Sequence, residues 1–108
     1  MAITLLDPIS TYFDATNAHD VDAMLATFAA DALVHDEKQD FAGRVAIREW
    51  IDSTTRKYRV TATPTGVDQV GEKTVVTAMV AGNFPGSPTE LRYRFTTNGD
   101  KIAGLEID

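Results

Sequence analysis

Along this chain the spacing of apolar residues switches near Tyr58 from a mainly helical repeat to a run of strands. That switch constrains the fold more than any other feature, because helices gathered before a run of strands belong to α+β architectures and not to alternating α/β ones. Asp7-Pro8 opens a first helix, predicted to run to about Ala18 with Pro8 at its first position, where the missing N–H costs nothing. Leu5, Ile9, Tyr12 and Thr16 share one stripe of that helix, widened by Phe13, so Tyr12 points inward. Asp20 is the expected N-cap of a short second helix whose apolar face is Val21, Met24, Leu25 and Phe28. Ala32–Asp36 reads as a short strand with Val34 and Asp36 on one face and Leu33 and His35 on the other, followed by the polar run Glu37-Lys38-Gln39-Asp40. A third helix is predicted from Gly43-Arg44 to about Lys57, with Ile47, Trp50, Ile51 and Thr54 as its apolar stripe.

From Tyr58 on, β-branched residues and turn formers predict strands over 58–63, 74–84, 90–97 and 101–107. The turns fall at Gly71-Glu72, Pro85-Gly86-Ser87-Pro88 and Asn98-Gly99, so the strands are expected to form an antiparallel sheet. The strand Val75–Val80 is apolar on both faces, as expected if one face covers helices and the other meets a second copy; a homodimer through the sheet follows as an expectation.

At 108 residues the chain suits one domain, 1–108, without an internal boundary. The net charge of −6 opposes binding to a phosphate backbone, which needs clustered Lys and Arg, so no nucleic-acid partner is expected. No window approaches the roughly 20 apolar residues that span a bilayer, and Met1–Pro8 lacks the basic flank of a signal peptide; neither membrane nor export is expected, leaving the cytoplasm. Without cysteine there is no disulfide or thiolate chemistry, and two histidines with no third ligand at metal spacing predict no metal site.

Several local motifs go further. An aromatic residue in the first helix, Asn17-Ala18-His19-Asp20 between helices, Phe28-Ala29-Ala30-Asp31-Ala32 before the first strand, and Gly43-Arg44-Val45-Ala46-Ile47-Arg48 opening the third helix together resemble ketosteroid isomerase and the SnoaL-like polyketide cyclases of the nuclear transport factor 2-like superfamily. The resemblance implies a curved antiparallel sheet wrapped as a cone around three N-terminal helices, the cystatin-like α+β barrel, with room for a small apolar molecule. It also implies two site residues: Tyr12 as hydrogen-bond donor to a carbonyl oxygen and Asp36 as general base. Proton abstraction beside a carbonyl needs both, and needs no cofactor. The chain departs from ketosteroid isomerase at the third polar group: the inward series on the corresponding strand is Leu91, Tyr93, Phe95, and Leu91 stands where the isomerase has a carboxylic acid. Tyr93 is a candidate substitute.

Phe28, Trp50, Tyr58, Met79, Phe84, Leu91, Tyr93 and Phe95 are candidates to line the pocket, although aromatic and Met stripes at such spacing serve cores more often than ligands. His35 falls on the strand face opposite Asp36, and His19 reads as a capping-region residue. Two functions stay open: an isomerase- or cyclase-type enzyme acting on an apolar carbonyl compound, or a binding or dimerising module without turnover.

Overall fold

The computed structural model describes residues 5–108; the reading of the extreme N-terminus falls partly on residues 1–4, outside them. Three helices precede the main run of strands: α1 (Asp7–Asn17), α2 (Val21–Ala26), β1 (Phe28–Asp36), β2 (Gln39–Ala42), α3 (Gly43–Tyr58), β3 (Thr61–Val70), β4 (Lys73–Ala81), β5 (Thr89–Asn98) and β6 (Lys101–Ile107). The six strands form one curved, unclosed sheet in the order β2-β1-β6-β5-β4-β3, whose concave side holds the helices. The α+β expectation therefore holds.

Each helix is placed by its apolar stripe. Ile9, Tyr12, Phe13, Ala15 and Thr16 of α1 are buried, as are Ile47, Trp50, Ile51 and Thr55 of α3. Asp20 caps α2 by accepting from Ala23 N at 3.1 Å. The end of α1 is tied to the edge strand by Asn17, whose amide donates to Ala62 O at 2.9 Å and accepts from Ala62 N at 2.7 Å, imitating a strand partner. From the sheet, Val34, Val76, Ala78, Val80, Phe95, Ile102 and Leu105 complete the core.

The structure corrects the reading in four places. Phe28 begins β1 instead of closing the helix 2 stripe, and β1 reaches Asp36 over 9 residues. The polar run after Asp36 opens a second strand that the sequence reading did not include: Glu37 and Lys38 both adopt left-handed φ (52° and 64°), the backbone of a type I′ turn, and Gln39–Ala42 return as β2. Tyr58 is the last helical residue, not the first of a strand, because Arg59 takes the left-handed C-terminal position (φ 46°) and its N–H bonds Thr55 O. The following strand runs on through Pro64, which an edge strand tolerates. Finally, the sheet is not wholly antiparallel, since β1 pairs parallel to β6 while every other pairing is antiparallel.

Candidate functional site

The helices do not fill the cone. Between α1, α3 and the concave side of β4 and β5 lies a cavity of about 430 Å³, open towards the Phe84-Pro85-Gly86 loop and the β1–β2 turn. That size falls within the roughly 300–1,000 Å³ usual for small-molecule sites. Its apolar walls include Met24, Val60, Val80, Leu91 and Ile107.

Asp36 ends β1 on the same face as buried Val34, so strand parity turns its carboxyl group into the cone. From the middle of α3, Trp50 donates its indole N–H to Asp36 Oδ2 at 3.0 Å. Phe28, edge-on at 6.5 Å, and Phe41, at 6.1 Å, hold that indole in place. Half-buried, Asp36 has its pKa raised, first by loss of water and further by neighbouring Glu37, while the Trp50 hydrogen bond opposes the rise.

Tyr12 of α1 and Tyr93 of β5 both line the cavity, their rings in edge contact with centroids 6.4 Å apart. Burial raises both phenol pKa values well above the usual tyrosine range; Tyr93 and Asp36 push Tyr12 further, partly countered by the Thr16 side chain, and Asp36 pushes Tyr93. Both phenols are therefore neutral donors at any physiological pH. At the mouth, the Tyr58 hydroxyl donates to Glu37 Oε1 at 2.7 Å, and Phe84 stands edge-on to the Tyr58 ring at 6.1 Å.

Of the residues singled out in the sequence, Tyr12, Asp36, Trp50, Tyr58, Phe84, Leu91 and Tyr93 converge on the cavity. Phe28 and Phe95 do not line it: both are wholly buried behind Tyr12, with ring centroids 5.9 and 5.6 Å from its own, and they stiffen its position. Met79 is on the wrong side altogether, 42% exposed on the convex face, because β4 alternation gives the concave face to Thr74, Val76, Ala78 and Val80. His35 is also convex and pairs with Asp40 at 2.6 Å.

Sequence reasoning missed Thr16, Thr54, Thr55, Thr89 and His19 among the lining residues. A polar residue on an otherwise apolar helical stripe was the available signal for Thr16 and Thr54, and stepping back two residues from Leu91 gives Thr89. His19 carries no such signal; a left-handed backbone (φ 54°) turns its ring so that Nε2 bonds Val60 O at 2.9 Å and Nδ1 faces Arg59.

The sequence profile of the SnoaL-like domain matches residues 9–103, most of the chain. The chain belongs to the SnoaL-like family. Among solved structures, this SnoaL-like chain is similar to a candidate polyketide cyclase from Sinorhizobium meliloti, at 42% identity and TM-score 0.91 over 96% of this chain and 95% of that one. It is also similar to SalBIII, an epoxide hydrolase/cyclase-like enzyme with a role in pyran ring formation in salinomycin, at 25% identity and TM-score 0.74 over 93% and 85%. A protein with a ketosteroid isomerase-like fold from Catenulispora acidiphila is similar in fold at 22% identity and TM-score 0.83, over 97% and 86%. No curated protein matches the SnoaL-like chain. The family and these neighbours support a fold of the small-molecule isomerase and cyclase type.

Proposed function

We propose that the chain binds a small apolar carbonyl compound in the cone and moves a proton on it, an isomerase- or cyclase-type reaction with Asp36 as general base and Tyr12 as hydrogen-bond donor. One observation carries this reading: a carboxylate drawn half out of water and aimed by an indole N–H into the same apolar cavity as a buried neutral phenol. Such a carboxylate is more basic than one in water, and the indole leaves Oδ1 free of that bond to take a proton from carbon. The phenol meets the negative charge as it collects on oxygen, a contribution of about 3 kcal/mol for one well-placed donor. The similarity to a candidate polyketide cyclase and to SalBIII supports a cyclic or cyclising substrate of polyketide type. Trp50, Tyr58, Phe84 and Leu91 then supply the apolar grip.

Leu91 on the cavity wall favours a second reading, binding without turnover, because the acid that ketosteroid isomerase uses there is absent. One experiment separates the two. A panel of planar enolisable ketones is screened by thermal shift, since a ligand of the folded state raises stability in step with its affinity, and the binders are followed by NMR for deuterium uptake at the α-carbon. Asp36→Asn is expected to slow exchange at least 100-fold while affinity stays within about threefold. Exchange persisting in that variant rules out Asp36 as the base.

A further inference from the structure

Neither Lys nor Arg lines the cavity among the described residues. Negative charge formed on a bound molecule must therefore be met by neutral donors, and most of those present are already engaged. The Thr16 hydroxyl donates to Tyr12 O at 2.8 Å, Thr54 to Trp50 O at 2.9 Å, Trp50 to Asp36 and Tyr58 to Glu37. His19 is turned to Val60 O. Four lining hydroxyl groups remain that donate to no protein acceptor among the described residues, on Thr55, Thr89, Tyr12 and Tyr93, and of these the phenols of Tyr12 and Tyr93 are the more acidic and so the stronger donors to a developing oxyanion. The two phenol rings lie in edge contact, 6.4 Å between centroids, on the cavity wall, with Asp36 close enough to both to raise their pKa values.

We propose that Tyr93 is a second oxyanion donor, acting with Tyr12 on one oxygen, and that the site takes uncharged planar ring ketones presenting a single carbonyl oxygen to both phenols. The inference rests on the reading of Asp36 as a base. When Asp36 takes the α-proton, the C–H electron pair becomes the enolate double bond and the carbonyl oxygen acquires the negative charge that Asp36 loses. The net charge of the site stays the same, and both phenols keep their protons. Asp36 then returns its proton to the same or a neighbouring carbon. A carboxylate ligand is disfavoured, because its charge would confront Asp36 with neither Lys nor Arg in the lining to offset it.

The geometry behind the second donor is local. On β5, Leu91 and Tyr93 share the concave face, so losing an acid at 91 leaves the next inward position, one pleat deeper, to reach the same oxygen. Stacking on Phe95 (6.2 Å, 11°) and an edge contact with Phe13 (5.0 Å, 73°) fix the Tyr93 ring, so its hydroxyl is pre-aimed and loses little freedom on binding.

The test uses the full chain with 2-tetralone as the exchanging ketone and 2-naphthol as a planar one-oxygen mimic of its enol. Tyr93→Phe keeps the stacked ring and removes only the hydroxyl. It is expected to lower kcat for α-proton exchange by 10²- to 10³-fold with KM changed less than threefold, and to weaken 2-naphthol binding at least tenfold with the melting temperature kept. Tyr12→Phe should behave alike. In the unaltered protein, 2-naphthol should bind at least tenfold more tightly than naphthalene or 2-naphthoate. Exchange in Tyr93→Phe within twofold of the parent, with Tyr12→Phe and Asp36→Asn both slow, overturns the second donor and leaves the base assignment standing. Exchange unaffected by Asp36→Asn overturns the assignment beneath it. A parent protein that neither exchanges 2-tetralone nor prefers 2-naphthol overturns the substrate class.

Discussion

Asp36 shows how one residue links function to stability with opposite signs. Unfolded, an aspartate titrates near 3.9; folded, burial holds Asp36 above that value. Between the two values the native state binds more protons than the unfolded one, so stability falls as pH rises through that window, and the full penalty is present above the native pKa. An asparagine at this position carries no charge, and its side-chain oxygen still accepts the Trp50 N–H. Asp36→Asn is therefore expected to be at least as stable as the parent at pH 7, with the advantage shrinking to nothing as pH falls to about 3. Urea unfolding of both proteins between pH 3 and 8 measures this difference directly, and an advantage that grows towards acid would mean that Asp36 is stabilised, not strained, by its site. A variant that is steadier but inactive is what a carboxylate held for chemistry should leave behind.

Between elements, the junction that most controls the cavity mouth is the close approach of the β4 end to the α3–β3 link. The Asn83 N–H bonds Tyr58 O at 2.7 Å and Gly82 N–H bonds Ser87 Oγ at 2.9 Å, which sets Tyr58 and Phe84 edge-on to each other at the rim. A methyl group at Gly82 would lie 2.6 Å from Tyr58 O and 3.0 Å from Val60 Cγ1, and neither the carbonyl nor the strand it precedes can yield easily. Gly82→Ala is expected to cost about 2 kcal/mol, seen as a melting temperature lower by roughly 8–16 °C, and to weaken binding of any cavity ligand. A variant with unchanged melting would show that the junction is looser than its contacts imply. The same junction marks where legibility ends. Stripes such as Ile47, Trp50 and Ile51 and the alternation of Leu91, Tyr93 and Phe95 are periodic, so helices, later strands and the inward side of β5 were readable. The Glu37-Lys38 turn was not, since a type I′ turn normally advertises itself through Asn or Gly, and neither residue is one. Nor was the parallel β1–β6 pairing, which joins strands at opposite ends of the chain and has no local signature. Of the site, Asp36 and Tyr12 were placed by likeness to a family, whereas the Trp50 bond to Asp36 depends on how α3 crosses β1 and no spacing announces it.

For the whole molecule the open question is what covers the convex face of the sheet. The outward side of β4 carries Val75, Thr77 and Met79, and Leu33 of β1 lies 48% exposed farther across the sheet. This face is less apolar than β4 alone suggests: Arg92, Arg94 and Glu90 of β5 are interleaved with it, opposite Thr77, Val75 and Met79 in register. A patch of apolar side chains rimmed by both signs of charge is self-complementary under a two-fold axis, where each copy sets its Arg against the other's Glu. The expected assembly is a homodimer of twice 11.8 kDa through this face, leaving both cavities open on the far sides. Met79→Lys tests it without harming the fold, because the new ammonium group finds Glu90 directly across the β4–β5 ladder and the replaced side chain is already 42% exposed in the single chain. Light scattering should report a dimer for the parent and a single chain for Met79→Lys, with circular dichroism unchanged. A parent that scatters as one chain at high micromolar concentration would leave the convex face to water, and the outward Val75 and Met79 as ordinary surface residues of a β-branched strand.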